Sequence, residues 1–218
     1  MPESATLYVS VGPNPRLVRM YLAEKAIPLD EVHVDLVGGE NRQAGYLAMN
    51  PGGQMPAMRL ASGQVIAETL AICEYVEELR PDPPLYGATP EARGETRMCL
   101  RRIENLFVRP MIDAYRYGIG HDRFKDRMRL IPAASDDLTA LAHDGLEWIE
   151  ANMAAPFVLG NRITVADLML HAFLDFAYER KVMEHDPAHV RLADHMAMMT
   201  DRPSARQTRV YSYTGRRD

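Results

Sequence analysis

Residues 50–58 read Asn-Pro-Gly-Gly-Gln-Met-Pro-Ala-Met, and this turn decides how the N-terminal part of the chain folds. Pro56 stands directly before a short apolar run, and a proline at the start of a strand removes one donor from the ladder. Such a proline is accommodated at the first position of a strand, or where the preceding peptide bond is cis and the chain turns sharply. A cis Met55–Pro56 bond would expose the main chain of Met55, which could then pair with a peptide-like ligand as an added strand does.

The residues before this turn predict a strand followed by a helix. Residues 7–11 alternate and are rich in β-formers, which favours a first strand. Asn14 and Pro15 are typical of a helix start, with the asparagine at the N-cap and the proline at the first helical position. Apolar residues then recur at helical spacing as far as Leu22.

The rest of the first eighty residues completes a βαβ unit followed by a ββα unit. Residues 31–36 alternate as a second strand, and residues 43–49 predict a short helix. Residues 57–60 and 64–67 form a hairpin around Ser62 and Gly63. A helix opens at Glu68 and Thr69, so the order β-α-β-(α)-ββ-α predicts a thioredoxin-like α/β domain.

A proline-rich stretch then separates this domain from an all-helical one. Residues 80–87 contain three prolines and read as a linker. Helical patterns follow, including a long region over 124–152 and a capping box formed by Thr164 and Asp167. The predicted organisation is a thioredoxin-like domain over 1–80, a linker over 81–90, and an all-α helical-bundle domain with a C-terminal tail over 91–218.

Composition excludes several classes of function. The 218 residues carry a net charge of −5 with a pI near 5.8, which argues against general nucleic-acid binding. No apolar stretch reaches the length of a membrane span, and the first residues do not resemble a signal peptide. Cys73 and Cys99 have no metal or redox spacing, so we expect two buried thiols and a cytoplasmic protein. His185 and His189 flank a proline and lack a third ligand, so we expect no metal.

The chain resembles the cytosolic glutathione S-transferases over nearly its whole length. Each matching piece is weak, but their order and spacing together are specific. The pieces are residues 50–56, Glu68 and Thr69 with the helix behind them, residues 18–24 in the first helix, Thr164 to Asp167, and residues 202–204. The resemblance implies glutathione as co-substrate and a homodimer.

The resemblance also implies a glutathione site on the first domain. Glu68 would pair with the γ-glutamyl amine, and Thr69 would bind the neighbouring carboxylate at a helix N-terminus, which favours anions. Met55, presented by Pro56, would supply main-chain hydrogen bonds to the cysteinyl unit. Two further positions match family residues that reach the glycyl carboxylate, namely Asn41 and Gln54.

The thiol-activating position departs from the family pattern. Many members place a serine or cysteine where this chain has Gly12, which has no side chain. Asn14 matches the asparagine of the bacterial nu-class-like branch, and its amide could donate to a thiolate over the helix dipole. Tyr8 lies where tyrosine-type classes place their activating hydroxyl, and Ser10 is a third candidate.

The electrophile site would be lined by the helix that follows the linker. The candidate side chains are Phe107, Met111, Tyr115 and Arg116. The tail, with Tyr211 and Tyr213, could fold over the site. The co-substrate would be a small hydrophobic electrophile.

Two other functions remain open on the same fold. Glutathione-dependent disulfide reduction or peroxide reduction would use the same site. A non-catalytic binding protein is the other alternative, since the usual hydroxyl or thiol is absent at Gly12.

Overall fold

The computed structural model describes residues 5–209. These residues form two compact units, the first made of residues 5–85 with 201–209 and the second of residues 86–200. The chain therefore crosses between units near Leu85, and its last described residues belong to the first unit. The predicted boundaries kept them in the helical domain.

The first unit contains both strands and helices, and the named elements of the second unit are helical. Short 3₁₀ turns cover Glu40–Arg42 and Pro132–Ala134, and a π-helical turn covers Glu104–Val108. The helices and strands of the first unit up to the crossing are β1 (Thr6–Val9), α1 (Pro13–Glu24), β2 (Asp30–His33), α2 (Ala44–Met49), β3 (Ala57–Arg59), β4 (Val65–Ala67) and α3 (Thr69–Leu79). The remaining elements are α4 (Pro90–Ile103), α5 (Arg109–Tyr117), α6 (His121–Phe124), α7 (Ser135–Asn152), α8 (Val165–Glu179), α9 (Val190–Thr200) and α10 (Pro203–Gln207).

The four strands form one mixed sheet in the order β2-β1-β3-β4. β1 pairs parallel with β2 and antiparallel with β3, and β3 pairs antiparallel with β4. Leu7 lies opposite Met58, and both are fully buried. Because neighbouring residues of a strand point to opposite faces, Tyr8 and Ala57 face the other side of the sheet. The thioredoxin-like prediction is confirmed.

Helix α1 begins two residues earlier than predicted. It starts at Pro13, and its N-cap is Gly12 at φ 128°, a conformation that only glycine adopts readily. The helix has no side-chain cap, so the prediction that Asn14 is the N-cap is wrong. Asn14 lies inside the first turn between Pro13 and Pro15, and its side chain is therefore available for another contact.

The Met55–Pro56 bond is cis, which is one of the two arrangements that the sequence left open. The main-chain carbonyl of Gln54, the residue before Met55, has two donors. Gln54 O accepts hydrogen bonds of 2.8 Å from the Tyr46 hydroxyl and from Nδ2 of Asn50. Burial raises the pKa of Tyr46, which keeps its phenol a donor. Met55 and Tyr46 pack in one cluster with Val34 on the α2 side of the sheet.

Helix α10 packs on α1 through one carboxylate. Glu24 accepts hydrogen bonds of 2.8 and 2.7 Å from Arg202 and another from the Ser204 hydroxyl. These contacts explain why residues 201–209 lie with the first unit. They also explain why Glu24 and residues 202–204 both matched the family pattern.

Lys25, directly after α1, connects α1 with α3 and with the chain that follows α3. Its ammonium is fully buried and binds the carboxylate of Glu77 at 2.6 Å. It also donates to the carbonyls of Arg80 at 2.6 Å and Pro83 at 2.7 Å. The three protons of the ammonium therefore have three acceptors, and the first residues of the predicted linker are held by the first unit.

The second unit confirms the predicted capping box. The carboxylate of Asp167 accepts hydrogen bonds from the Thr164 N–H at 2.7 Å and from Val158 N–H at 2.7 Å. It also lies 3.2 Å from Nε2 of the buried His195.

The long helix predicted over 124–152 is wrong in its first part. Pro132 begins a 3₁₀ turn, and α7 starts only at Ser135.

None of the helices within residues 5–209 has both the length and the apolar character that crossing a membrane requires.

Candidate functional site

Asn14 and Thr69 meet at the starts of two helices. The Thr69 hydroxyl donates a hydrogen bond of 2.9 Å to Oδ1 of Asn14. Thr69 is the first residue of α3, and Asn14 is the second residue of α1. Because Oδ1 is the acceptor in this bond, the Nδ2 amide of Asn14 keeps its two donors for another group. The contact joins two of the residues that the sequence singled out for glutathione chemistry.

The main chain near Asn14 adds to this donor set. Its neighbours Pro13 and Pro15 have no N–H, so Asn14 carries the only main-chain donor among the first three residues of α1. N–H groups in the first turn of a helix have no partner within the helix. The partial positive charge of the helix end favours an anion here.

Glu68 has a backbone conformation that is unfavourable for a residue with a side chain. Its φ is 73° and its ψ is 125°, and it is exposed directly before α3. Strained backbone at such a position is commonly retained where function requires it. Glu68 thus places a carboxylate beside the N-terminus of α3, next to Thr69.

Met55 keeps its main-chain polar groups without a partner in the described part of the chain. It lies outside the strands, and none of the backbone hydrogen bonds found in residues 5–209 involves its N–H or C=O. Its side chain is 91% buried and packs against Tyr46. The side chain therefore anchors the turn, while the main chain remains available for a ligand.

The two residues predicted for the glycyl carboxylate differ in exposure. Gln54 is exposed, so its side chain is accessible. Asn41 is only 1% exposed, and its Nδ2 donates 2.7 Å to Gly53 O. In contrast to the prediction, Asn41 supports the loop before Met55 from within.

Tyr8 and Ser10 are not brought to Asn14 by any contact among the described residues. The ring of Tyr8 packs edge-on against Tyr46 at 6.3 Å, on the face of the sheet that α2 covers. Ser10 lies one residue beyond β1 and is half-buried. Of the three predicted catalytic candidates, only Asn14 forms a hydrogen bond with another predicted site residue among the described residues.

The predicted electrophile residues are mostly core residues of the second unit. Phe107 and Met111 are fully buried, in contrast to the prediction that they line a pocket. Tyr115 is 5% exposed, and its hydroxyl accepts a 3.1 Å hydrogen bond from Arg123. Arg116 keeps 28% of its side chain exposed and pairs with Asp113 at 3.3 Å. Tyr211 and Tyr213 lie outside the described residues.

Neither cysteine supplies a nucleophile. Burial raises the pKa of Cys99 to about 11 and that of Cys73 further still. Both are buried free thiols, as predicted. No group of three His, Cys, Asp or Glu side chains within residues 5–209 could hold a metal ion. A thiol that reacts at this site must therefore come from a ligand.

The sequence interpretation missed the support given by Tyr46 and Asn50. Both hold Gln54 O, and they lie four residues apart at the end of α2. That spacing, directly before Pro51 and two glycines, was the available signal, because residues at i and i+4 share one face of a helix.

The chain is similar to known proteins in both sequence and fold. Residues 11–79 match the family described as Glutathione S-transferase, N-terminal domain. Glutathione S-transferase 2 of Saccharomyces cerevisiae is 29% identical over 81% of this chain and 78% of its own length. FtsZ-localized protein A of Caulobacter vibrioides is 30% identical over 79% of this chain and 76% of its own. A crystal structure of a glutathione S-transferase domain-containing protein from Marinobacter aquaeolei VT8 is 30% identical, covers 92% of this chain and 99% of that one, and has a TM-score of 0.83.

Proposed function

The chain belongs to the cytosolic glutathione S-transferase superfamily and is a glutathione transferase in that broad sense, and from this premise we propose how its site works. Glutathione binds along the turn at Met55 and the N-terminus of α3, and its thiolate is held at the N-terminus of α1. The thiolate then attacks a small hydrophobic electrophile. The hydrogen bond from Thr69 to Asn14 is the observation that carries this proposal.

Asn14 is the proposed thiolate-stabilising residue. Thr69 holds Oδ1, and this orients the Nδ2 donors away from α3. An N–H donor to an ionised group makes a stronger hydrogen bond than one to a neutral group. The amide and the helix end therefore favour the thiolate over the thiol, whose ordinary pKa is about 8.5. Catalysis rests on this ionisation and on proximity.

The remaining contacts follow from the chemistry of a γ-linked tripeptide. The Glu68 carboxylate pairs with the γ-glutamyl amine, and the α3 N-terminus at Thr69 receives the adjacent carboxylate. The unpaired main chain of Met55 binds the cysteinyl unit in the manner of an added strand. Gln54 reaches the glycyl carboxylate. Calorimetry with glutathione tests this set, and an absence of binding would favour the non-catalytic alternative.

That alternative has one observation in its favour. The relative named FtsZ-localized protein A is named for its place beside another protein and not for a reaction. Against it stands the strained backbone of Glu68, since a purely structural role gives no reason to keep a carboxylate in that conformation.

Conjugation and disulfide reduction differ in what the thiolate attacks. Because both cysteines are buried, a mixed disulfide would have to be resolved by the thiol of a second glutathione, which conjugation does not need. Conjugation therefore has the simpler requirement, and we give it precedence. Parallel assays with an activated aryl halide and a model disulfide decide between them. Faster disulfide turnover would reverse this order.

A homodimer is the proposed assembly, and α4 and α7 offer a surface for it. Met98 is 46% exposed, Leu141 is 53% exposed and Trp148 is 39% exposed. The guanidinium of Arg102 lies 5.5 Å from the centre of the Trp148 ring, which connects the two helices. Exposed apolar residues grouped in this way mark interaction surfaces. Sedimentation of the wild type and of Trp148→Glu tests the assembly, and a wild-type monomer would contradict it.

The reducing cytoplasm is the proposed location, because both thiols are free.

A further inference from the structure

A cavity opens on the face of the sheet that carries Tyr8. It has a volume of about 770 Å³ and lies between α2 and the β3–β4 hairpin. Asn14, Met55, Glu68 and Thr69 are not among the residues that line it. This volume falls within the usual range for small-molecule sites. The cavity therefore shares no lining residue with the proposed glutathione contacts.

The floor of this cavity is aromatic and apolar. Tyr8 and Tyr46 pack edge-on there, with Met49 from α2 and Val65 from β4 beside them. Tyr46 is committed to Gln54 O, as described above, whereas no hydrogen bond involves the Tyr8 hydroxyl within residues 5–209. The floor thus suits a flat apolar ligand and offers it one unused phenolic donor.

The only described cation in the cavity wall is Arg59. Its exposed guanidinium has no carboxylate partner in the described part of the chain. In the β1–β3 register Thr6 lies opposite Arg59 and Tyr8 lies opposite Ala57, so Arg59 and Tyr8 are diagonal neighbours on one face. Diagonal neighbours are within reach of long and aromatic side chains. The cavity therefore places a free guanidinium beside a free phenol.

The acid in the wall is already engaged. Oε2 of Glu40 accepts a 2.7 Å hydrogen bond from the N–H of Asp35. Its charge is thereby partly satisfied, while the charge of Arg59 is not. A carboxylate on the ligand would find its partner at Arg59, on the opposite side from the α2 rim.

We propose that this cavity is a second ligand site, separate from the glutathione site, that takes small aromatic carboxylates. The ring system packs on Tyr8, Tyr46, Met49 and Val65, and the carboxylate pairs with Arg59. Arginine suits such a partner because its planar fork matches a carboxylate. Tyr8, which the sequence suggested as a catalytic residue, acts here as part of a binding surface.

The matched probes 2-naphthoate and 2-naphthamide test the charge requirement. In calorimetry we expect the wild type to bind 2-naphthoate with a Kd below about 1 mM, and equally well when glutathione is saturating. Arg59→Gln should weaken 2-naphthoate about tenfold and leave 2-naphthamide unchanged, because only the former loses a charge-assisted bond. Arg129→Gln, which changes an exposed arginine of the second unit, is the charge-matched control.

Gly45 provides a second test that does not depend on charge. It lines the cavity in α2, and a Cβ there would meet nothing within 4 Å. Gly45→Phe should fill the cavity and abolish binding of both probes, whereas Gly45→Ala should leave binding unchanged. The proposal is overturned if glutathione competes with 2-naphthoate, if Arg59→Gln leaves its affinity unchanged, or if Gly45→Phe still binds both probes.

Discussion

The hydroxyl of Thr69 donates its hydrogen bond to the side-chain oxygen of Asn14, and this contact ties the first turn of α3 to the first turn of α1. The two residues are 55 positions apart in the chain. The contact fixes which end of the Asn14 amide faces outward. In an amide held in this way, the two Nδ2 donors remain for another group, which we propose is the thiolate.

Removing the Thr69 hydroxyl tests this orientation. Thr69→Val keeps the shape of the side chain but frees the Asn14 amide to rotate, so we expect kcat to fall about tenfold with a smaller change in the KM for glutathione. Thr69→Ser retains the donor and should stay close to the wild type. Steady-state kinetics on both variants is the measurement. If serine impaired the enzyme as much as valine, the hydroxyl would not be the group that matters.

Glu68 allows charge and backbone strain to be separated. Both Glu68→Gln and Glu68→Gly remove the carboxylate, so each should weaken glutathione binding about tenfold. Only Glu68→Gly relieves the φ of 73°, and it should raise the free energy of unfolding by about 1 kcal/mol. Calorimetry and urea unfolding measure the two effects. A glycine variant less stable than the glutamine variant would show that the conformation carries no strain.

The Glu24 carboxylate should make the first unit sensitive to acid. Burial alone would raise its pKa, but hydrogen bonds from Arg202 and Ser204 outweigh burial and lower it. Its folded-state pKa therefore lies below its unfolded value. The stabilisation is present above the unfolded pKa and is lost as the pH falls through the folded pKa.

Glu24→Gln isolates this contribution. The variant should be less stable than the wild type at pH 7. The gap, which is the difference in free energy of unfolding between the two proteins, should narrow as the pH is lowered below about 4, near the ordinary pKa of a glutamic acid. Urea unfolding at a series of pH values measures the gap. A gap that stays constant with pH would mean that the Glu24 charge does not hold α10.

Alanine substitutions at two helical glycines should change the free energy of unfolding in opposite directions. A Cβ at Gly145 in α7 would lie 2.0 Å from the carbonyl oxygen of Leu106, so Gly145→Ala should destabilise the second unit by about 3 kcal/mol. A Cβ at Gly94 in α4 would meet nothing within 4 Å, so Gly94→Ala should stabilise it by about 1 kcal/mol. Thermal or urea unfolding compares them. Equal effects at both positions would contradict the close approach of α7 to Leu106.

Local pattern was enough to predict most of the first unit. Alternation predicted the strands, and Pro56 with its neighbours indicated a turn for which a cis bond was one of two alternatives, because each signal depends on residues close in sequence. The start of α1 was predicted wrongly, since Asn14 and Pro15 form a good capping pair, yet Pro13 with Gly12 at φ 128° begins the helix two residues earlier. Two adequate local signals overlapped there, and packing decided between them.

Contacts between distant residues could not be predicted in this way. Asn41 resembles an exposed polar loop residue, and only the path of the loop shows that it binds Gly53 O from the interior. The assignment of residues 201–209 to the first unit depends on Glu24, which is 178 positions from Arg202. The same limit applies to Tyr8, whose place beside Tyr46 follows from how α2 lies on the sheet.

Ionisation of the thiol of bound glutathione tests the central claim most directly. Ultraviolet absorbance of the thiolate, titrated with pH, should give a pKa clearly below the ordinary thiol value of about 8.5 in the wild type. Asn14→Ala should return it toward that value and lower turnover far more than glutathione affinity. It should lower the free energy of unfolding by about 1 kcal/mol, because the variant loses the hydrogen bond from Thr69 although Asn14 does not cap α1. A wild-type complex whose thiol ionises no more readily than that of free glutathione would contradict the account.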